Sequence, residues 1–453
     1  MEKKLKQALS QASVDYVEIR IQRTNVTEIV YMGKELENIG ESDNFGGNVR
    51  AFHKGGWGFV SFNSLDELEH HVRLACHQAK LVGNQDSKLA PITPKTAKVA
   101  IKPKLDPRSI PLSEKHSLCH HYNQQLLKYP QIQSTRILYA DGYTEKVYMN
   151  TEQSSISQSN LFAGISISAV AKDGNTVQRA FESVAGSTGY DRVLGREEVV
   201  DKIAERAIGL LTAKRVDAGV YTVIIDPKLA GVFIHEAFGH LSEADHIYDN
   251  PRMRELMTIG KQFGVPELNV VDDATVPNVR GHYEFDDEGV PGQKNYLIKN
   301  GILVGRLHSR ETAAKMNEPI SGNARAISYR FPPIVRMSCT YIEPGKYPFE
   351  KMVAEVDNGL YVKGALGGNT NLEMFTFSSE EAFEIKHGKI GHRVRDAILS
   401  GNVFETLRNI DAIGNDISIN SGLGGCGKQG QSPLPVSEGG PHIRIRNVVI
   451  GGI

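Results

Sequence analysis

Cysteine is scarce in this sequence, and neither sign of charge is in excess. Its four cysteines are far apart: Cys76, Cys119, Cys339 and Cys426. Scattered cysteines, together with an N-terminus Met1–Leu5 that lacks the apolar stretch of a secretory signal, predict a reduced, cytoplasmic setting. The sequence has 52 Lys and Arg residues and 53 Asp and Glu residues. Because these charges nearly balance, there is no overall basic field to drive non-specific binding to nucleic acid.

Long apolar runs are missing as well. No stretch approaches the roughly 18 apolar residues that a membrane-spanning helix needs, and the mean hydropathy is -0.30. We therefore expect a soluble protein with neither a membrane nor a nucleic acid as its direct partner. What the sequence does contain is a globular composition, with 40% hydrophobic residues and 44 glycines in 453 residues, which predicts about two or three domains with many turns.

The first hundred residues predict an α+β subdomain. Alternating apolar and polar residues in Tyr16–Ile21 and Val26–Tyr31 are typical of half-buried strands. Ser64, with Glu67 three residues later, predicts a capped helix that begins directly after Ser64. Four prolines between residues 91 and 107 then mark a boundary, and the first subdomain is predicted to cover 1–105.

A second α+β subdomain, packed with the first, is predicted for 106–216. It contains a helical pattern near Ser113–Leu127, alternation in Ile165–Val170, a hairpin turn at Lys172–Asn175 and the amphipathic stretch Glu197–Leu211.

The remaining residues, 217–453, predict a domain built mostly of antiparallel sheet. Gly and Pro become more frequent there, and turn tetrads lie between apolar alternations at Lys299–Ile302 and Lys386–Lys389. The predicted fold class is therefore α+β, with an N-terminal α+β region joined to a sheet-rich C-terminal domain.

One segment of that domain carries metal chemistry, the H-E-x-x-x-H string from His235 to His240. Two imidazoles and a carboxylate, Glu236, are what a hydrolytic zinc site requires. In a regular α-helix, five residues at about 100° each place the histidines roughly 140° apart, so they could not share an ion. A π-bulge or helix end at Gly239 would bring them together, and the motif predicts such a defect. The alternative is that both histidines are core or cap residues and Glu236 is a solvated charge.

A third ligand is needed, and the sequence offers several. His246 follows His240 at the interval seen in zinc enzymes with three histidines, but Glu243 stands where those enzymes need a glycine. Glu243 and Asp245 are more often caps, or partners that orient a ligand. The remote candidate is Cys426, because a cysteine between glycines is poorly suited to filling a core and is more often a ligand or a nucleophile.

The loop around Cys426 also fits a phosphate-binding pattern, G-x-x-x-x-G-K, over Gly422–Lys428. Gln429 replaces the Ser or Thr that binds magnesium, and Pro433 and Pro435 forbid the helix that should follow, so nucleotide binding is not favoured. The other cysteines are expected to be buried thiols, since Cys76 and Cys119 lie in helical patterns and Cys339 lies in a strand pattern.

With these residues in view, nearly the whole chain resembles the TldD/PmbA family of metalloproteases. The string H-E-x-x-x-H points to the catalytic TldD type, because the PmbA branch typically lacks it. The supporting blocks are His235–His240 with Leu241, Glu243 and Asp245; Ala324–Arg330 with Pro333 and Arg336–Met337; Cys426–Lys428 with Gly430–Gln431, Pro435–Val436 and Gly440–Pro441; and Gly47–Arg50 with Gly56–Phe59. The sequence departs from the family at Asn323–Ala326, where an alanine replaces a second arginine that relatives often have.

The resemblance implies a zinc ion held by His235, His240 and Cys426, with Glu236 beside the attacking water. It also implies a dimer, with itself or with a metal-free PmbA-like relative, around an enclosed cleft that admits unfolded peptide. The expected function is zinc-dependent hydrolysis of unfolded or extended peptides with low sequence specificity. Two other classes remain open, a non-enzymatic partner protein that modulates another protein and a cysteine hydrolase that uses Cys426. No substrate-binding residue is predicted.

Overall fold

The computed structural model describes residues 1–85, 87–371 and 373–451. About 23% of the chain is helix and 44% is strand, which confirms the α+β class. The elements of the N-terminal half are α1 (Glu2–Leu9), β1 (Tyr16–Met32), β2 (Glu35–His53), β3 (Gly56–Phe62), α2 (Leu68–Val82), β4 (Thr96–Val99), α3 (Leu112–Leu126), β5 (Ile132–Asn150), β6 (Ser155–Asp173), β7 (Thr176–Gly186) and α4 (Glu197–Thr212).

The C-terminal half has shorter helices and more strands. Its elements are β8 (Lys214–Arg215), β9 (Gly219–Ile225), α5 (Pro227–Ile234), α6 (Pro251–Leu256), β10 (Val270–Asp273), β11 (Lys294–Lys299), β12 (Ile302–Leu303), α7 (Arg310–Met316), β13 (Ala324–Arg325), β14 (Ile334–Val335), β15 (Cys339–Ile342), α8 (Phe349–Ala354), β16 (Asn358–Asn371), β17 (Met374–Lys386), β18 (Lys389–Arg395), β19 (Ile398–Asn402), α9 (Val403–Arg408), β20 (Ile410–Ile413), β21 (Ser418–Asn420), β22 (Cys426–Lys428), β23 (Gln431–Leu434), β24 (Ser437–Gly440) and β25 (Ile443–Gly451).

One sheet runs through the N-terminal half. Its strands are ordered β3-β2-β1-β5-β6, and β7 and β4 pair with β6. Helices α1 and α2 cover the half around β1 to β3 and form one hydrophobic core. Helices α3 and α4 cover the half around β5 to β7 and form a second core. The sheet thus crosses the predicted boundary at residue 105 through the pairing of β1 with β5.

Two details of the N-terminal prediction are wrong. The two predicted short strands, Tyr16–Ile21 and Val26–Tyr31, are one strand, because the polar residues between them stay paired with both β2 and β5. The helix after Ser64 begins only at Leu68 and has no side-chain cap. The Ser64 hydroxyl instead bonds to Asp66, where it donates to the carboxylate at 2.6 Å and accepts from the backbone N–H at 3.2 Å.

Two large sheets and the two-stranded sheets β13-β14 and β22-β23 form the described part of the C-terminal half. In the larger one, β16, β9, β25, β19 and β17 pair in sequence, and β17 pairs again with β16, so these strands close on themselves. The smaller sheet has the order β12-β11-β10-β15-β24-β21. Most pairs are antiparallel, as predicted, and the predicted turns join β6 to β7, β11 to β12 and β17 to β18. Helix α5 packs against both sheets and lies in the largest core.

Within the described residues, no helix is long and apolar enough to cross a membrane. Cys76, Cys119 and Cys339 are buried free thiols in α2, α3 and β15, as their sequence patterns predict.

Buried charges join the two halves of the chain. The Arg50 guanidinium lies between two carboxylates, with Nε 2.9 Å from Glu18 Oε1 and Nη2 2.7 Å from Glu288 Oε1. The three side chains are only 2–6% exposed. The guanidinium also lies 4.1 Å from the ring centroid of Trp57, the single tryptophan of the chain. Trp57 fluorescence therefore reports on this junction.

We expect Arg50→Met to destabilise the protein strongly, because it leaves two buried carboxylates without their cation. The expected loss is about 3–5 kcal/mol in the free energy of unfolding. The matched control is Arg23→Met, since Arg23 forms an exposed ion pair with Asp43 and such pairs contribute about 0–1 kcal/mol. Urea unfolding followed by Trp57 emission measures both. Equal midpoints for the two variants would contradict a stabilising role of the buried junction.

Candidate metal centre

Helix α5 leads directly into the H-E-x-x-x-H string, and local chemistry fixes where this helix begins. The Asp226 side chain caps it, accepting from the backbone N–H of Leu229 at 2.8 Å, and Pro227 occupies the first turn. The same carboxylate accepts from Gly364 N at 3.0 Å, which ties the helix start to β16. A capped and proline-started helix has a defined position along its axis.

At its C-terminal end α5 changes into a π-helical turn over His235–Gly239. The backbone N–H of His240 bonds to the carbonyl of His235, five residues earlier. This is the helix defect that the motif predicts. The two imidazole rings consequently lie together, with centroids 5.3 Å apart. Gly239 allows close packing here, since a Cβ at this position would lie 2.0 Å from Met337 Sδ and the Met337 side chain would have to move.

Cys426 reaches the histidines from the hairpin of β22 and β23. Arg336 is fully buried and holds this hairpin, donating to the carbonyl oxygen of Cys426 at 2.7 Å and to that of Gln431 at 3.2 Å. Cys426 Sγ lies 3.1 Å from His240 Nε2. One ligand atom from each of His235, His240 and Cys426 lies within 4.8 Å of the others. The structure therefore brings together the three side chains that the sequence assigns to the metal.

These residues fit a metal ion. His235 Nδ1 is buried and has no hydrogen-bond partner among the described residues. Burial raises the pKa of the Cys426 thiol, but the neighbouring imidazoles of His235 and His240 outweigh it and lower that pKa to about 5. A thiolate is the form of cysteine that binds metals. Two imidazoles, one thiolate and a free position are the donor set of a catalytic zinc site.

Glu243 orients His240. Its carboxylate is fully buried and bonds to His240 Nδ1 at 3.0 Å, which leaves Nε2 facing Cys426. Burial raises the pKa of Glu243, yet the charge of Lys428 and the bond from His240 lower it to about 2. A carboxylate behind a ligating imidazole fixes the ring and increases its basicity. The structure thus places Glu243 behind a candidate ligand, and His246, half exposed and 4.0 Å from Glu243 Oε2, lies outside the cluster.

The phosphate-loop pattern does not form a phosphate site. Lys428 is buried, and its ammonium donates to Asp245 Oδ1 at 2.6 Å and to the carbonyl of Val335 at 2.9 Å. The segment Cys426–Lys428 is a strand, with no helix after it. Arg325 lies in Asn323–Ala326, the segment in which the sequence differs from the family pattern. It is also buried and donates to the carbonyl of Pro435 at 2.7 Å. Both cations hold the backbone around the cluster.

Glu236 lines a cavity of about 270 Å³ together with His235 and Cys426. Further polar residues of this cavity were not predicted from the sequence, among them Asn420 and Glu438. These two lie near the C-terminus, in β21 and β24, and only the pairing of these strands brings them beside α5. The neighbouring motif residues, Pro435–Val436 and Gly440–Pro441, are the one signal that this stretch belongs to the site.

We expect Gly231→Ala to weaken metal binding. A Cβ at Gly231 would lie 2.5 Å from the backbone nitrogen of Gly439, so α5 must move away from β24 and carry His235 with it. Misplacing a ligand by this route should lower zinc affinity by about tenfold or more. The control is Gly209→Ala in α4, where the Cβ meets only the end of the Arg393 side chain. Zinc titration calorimetry tests both, and wild-type affinity in Gly231→Ala would contradict the packing argument.

Comparisons with known proteins support the family resemblance. Family profiles match in three consecutive parts: PmbA/TldA metallopeptidase domain 1 at residues 17–79, the central domain at 105–211 and the C-terminal domain at 218–452. A metalloprotease of Synechocystis is 44% identical over 98% of this chain and 96% of its own length. A zinc metalloprotease TldD homolog of Saccharolobus solfataricus is 28% identical over 96% of both chains.

Solved structures share the fold. TldE from Thermococcus kodakarensis superposes with a TM-score of 0.81 at 18% identity and covers 100% of both chains. A Thermotoga maritima protein described as a candidate modulator of a DNA gyrase also gives a TM-score of 0.81, at 20% identity, over 99% of this chain and 100% of its own. With family profiles along its length and a 44% identical metalloprotease over nearly all of it, the chain belongs to the TldD/PmbA family of metallopeptidases.

Proposed function

We propose that this chain is a zinc-dependent peptidase. The observation that carries the proposal is the convergence of His235, His240 and Cys426 within 4.8 Å beside a cavity that contains Glu236. The donor set of two imidazoles and one thiolate suits zinc, and one relative is named a zinc metalloprotease. Oxygen-preferring cations such as Mg²⁺ and Ca²⁺ would not favour these ligands.

Zinc, when bound, makes a water molecule acidic and polarises a carbonyl group. The chain supplies the proton transfers. Glu236 accepts a proton from the attacking water and passes it to the departing amine nitrogen. It is adjacent to His235 on the π turn, and neighbouring helical side chains point in different directions, so it serves as proton carrier while His235 serves as ligand. Glu243 keeps His240 in the tautomer that presents Nε2.

The substrate we propose is an unfolded or extended peptide, bound with low sequence specificity. Phe181, Glu182 and Ser183 of β7 line the cavity beside the cluster, and β7 pairs with β6 along one edge. On the other edge the Ala185 backbone N–H already donates to the carbonyl of Ser421 at 2.6 Å. We propose that an extended peptide adds to this edge before Ala185 through main-chain hydrogen bonds, which recognise the backbone more than the side chains. We further propose that the protein acts in the cytoplasm as a dimer, with itself or with a metal-free PmbA-like relative.

A second candidate is a cysteine hydrolase. The hydrogen bond between Cys426 and His240, 3.1 Å long, and the lowered pKa of the thiol are features of a thiolate nucleophile. A chelator distinguishes the two, because a thiol enzyme remains active in EDTA. A non-enzymatic modulator would cleave no peptide with or without zinc.

We expect Glu236→Gln to retain zinc and peptide binding and to lose cleavage. The amide cannot accept the water's proton, and loss of a general base typically costs about 10²- to 10⁴-fold in rate. Zinc content, peptide affinity and cleavage of an unstructured peptide are measured in parallel. The control is Glu350→Gln, the same change at an exposed position in α8. Near-normal cleavage by Glu236→Gln would refute the mechanism, and loss of its zinc would make Glu236 a ligand.

We also expect His235→Ala or His240→Ala to abolish zinc retention, since two remaining ligands bind weakly. Cys426→Ser should weaken retention and leave the fold intact, whereas Cys76→Ser, a buried thiol in α2, should keep its zinc. Elemental analysis after gel filtration gives the stoichiometry. One zinc per chain in both histidine variants would end the assignment, and full occupancy in Cys426→Ser would direct attention to His246 or Glu243.

A further inference from the structure

Among the polar side chains that line the cavity beside the metal cluster, two that have no role in the steps above are neighbours. Asn420 on β21 and Glu438 on β24 are directly opposite each other in the antiparallel ladder. Residues paired in this way project from the same face of a sheet, with Cβ atoms about 4.5–5.5 Å apart. Both belong to the lining of the cavity that holds His235 and Cys426. They therefore form one polar patch beside the metal cluster.

Neither side chain is satisfied by the part of the chain that the structure describes. Asn420 Nδ2 is buried and donates no hydrogen bond. The Glu438 carboxylate has only longer-range charge interactions, with His235, Lys228, Glu236 and Cys426. A buried donor without a hydrogen bond is unfavourable, and the partly buried Glu438 forms no ion pair with the described residues. A ligand that supplies both partners accounts for their presence.

The charges of the cavity favour a cation as the partner of Glu438. Glu438 adds a carboxyl group to a pocket that already contains Glu236 and Cys426. Lys228 does not supply its partner, because the Lys228 ammonium already pairs with Glu182 Oε2 at 3.0 Å and with Glu380 Oε1 at 2.7 Å. Within a cavity of about 270 Å³, a charged carboxylate is compensated by a bound cation more fully than by a neutral amide N–H.

A peptide offers two kinds of cation, its N-terminal ammonium and the side chains of Lys and Arg. Only the N-terminus carries a hydrogen-bond acceptor close by, since the carbonyl of the first residue is separated from the ammonium by a single Cα. The acceptor Glu438 and the donor Asn420 stand side by side and match this pair of groups. The cavity is smaller than the roughly 300–1,000 Å³ typical of sites for drug-sized ligands, which suits the end of a chain better than its middle.

We infer that Glu438 and Asn420 bind the free N-terminus of the peptide and that the first residue is the one released. Glu438 holds the α-ammonium, and Asn420 donates to the carbonyl oxygen of the same residue. This inference rests on the proposed peptidase function. Water is the only co-reactant: its hydroxyl joins the carbonyl carbon of the first residue, the C–N bond breaks, and the remaining proton passes through Glu236 to the amine of the second residue.

The test compares two peptides of one sequence, one with a free N-terminus and one N-acetylated, on the zinc-loaded full chain. We expect kcat/KM to be about tenfold or more higher for the free peptide, because a charge-assisted hydrogen bond is lost on acetylation. Mass spectrometry should find the first amino acid as the product. Glu438→Gln should keep its zinc and bring the ratio of the two kcat/KM values near one, whereas Glu350→Gln should leave that ratio unchanged.

Equal cleavage of the two peptides by the wild type would overturn the inference, and so would an unchanged ratio in Glu438→Gln. A third contrary result would be that an acetylated peptide with an internal lysine is cleaved in preference to the free peptide. Peptide affinities measured calorimetrically in the Glu236→Gln background keep the test independent of turnover. If the wild type cleaves neither peptide, the proposed function fails. Tighter binding of the free peptide that is lost on adding Glu438→Gln would still support recognition of the N-terminus, and equal affinities would reject it.

Discussion

The π-helical turn at His235–Gly239 is the constraint on which the candidate metal centre depends. It adds one residue to a turn of helix and so places histidines five positions apart on the same side. The turn is held by its surroundings, because Gly231 packs against the backbone of Gly439 and Gly239 packs against Met337. A bulkier residue at Gly231 would force the helix away from the backbone of β24, and one at Gly239 would displace the Met337 side chain. The site is therefore built by close backbone packing as much as by its ligands.

Buried charge completes the centre and the molecule around it. The Glu243 carboxylate contacts both the His240 imidazole and the Lys428 ammonium. A negative charge therefore lies behind the candidate ligand His240, and it is not left unpaired in the core. Arg336 positions Cys426 by donating a hydrogen bond to its backbone carbonyl oxygen. At the junction of the two halves, Arg50 lies between buried carboxylates in the same manner. Apart from the contact between Glu243 and His240, which are three residues apart, these contacts join residues that are distant in sequence.

The sequence reveals those features that depend on neighbouring residues. Turn chemistry at Asn300-Gly301 and His387-Gly388 predicts the hairpins, and the spacing of two histidines predicts a helix defect, because both arise within a few residues. The local sequence pattern does not predict structure that depends on tertiary strand pairing. Strand β1 is an example, because it stays extended through a polar stretch where it is paired with both β2 and β5. Glu438 could not be placed either, since it reaches the site only through the pairing of β24 with β15 and β21.

The coordination of the bound ion tests the central assignment most directly. X-ray absorption at the zinc K edge of the zinc-loaded protein measures the identity and distance of the ligands. Two imidazoles and one thiolate predict nitrogen scatterers at about 2.0–2.1 Å and a single sulfur at about 2.3 Å, with an oxygen from water completing the shell. A spectrum that contains this sulfur, and loses it in Cys426→Ser, is the expected result. A shell of nitrogen and oxygen alone, or one with more than a single sulfur, would contradict the site built from His235, His240 and Cys426.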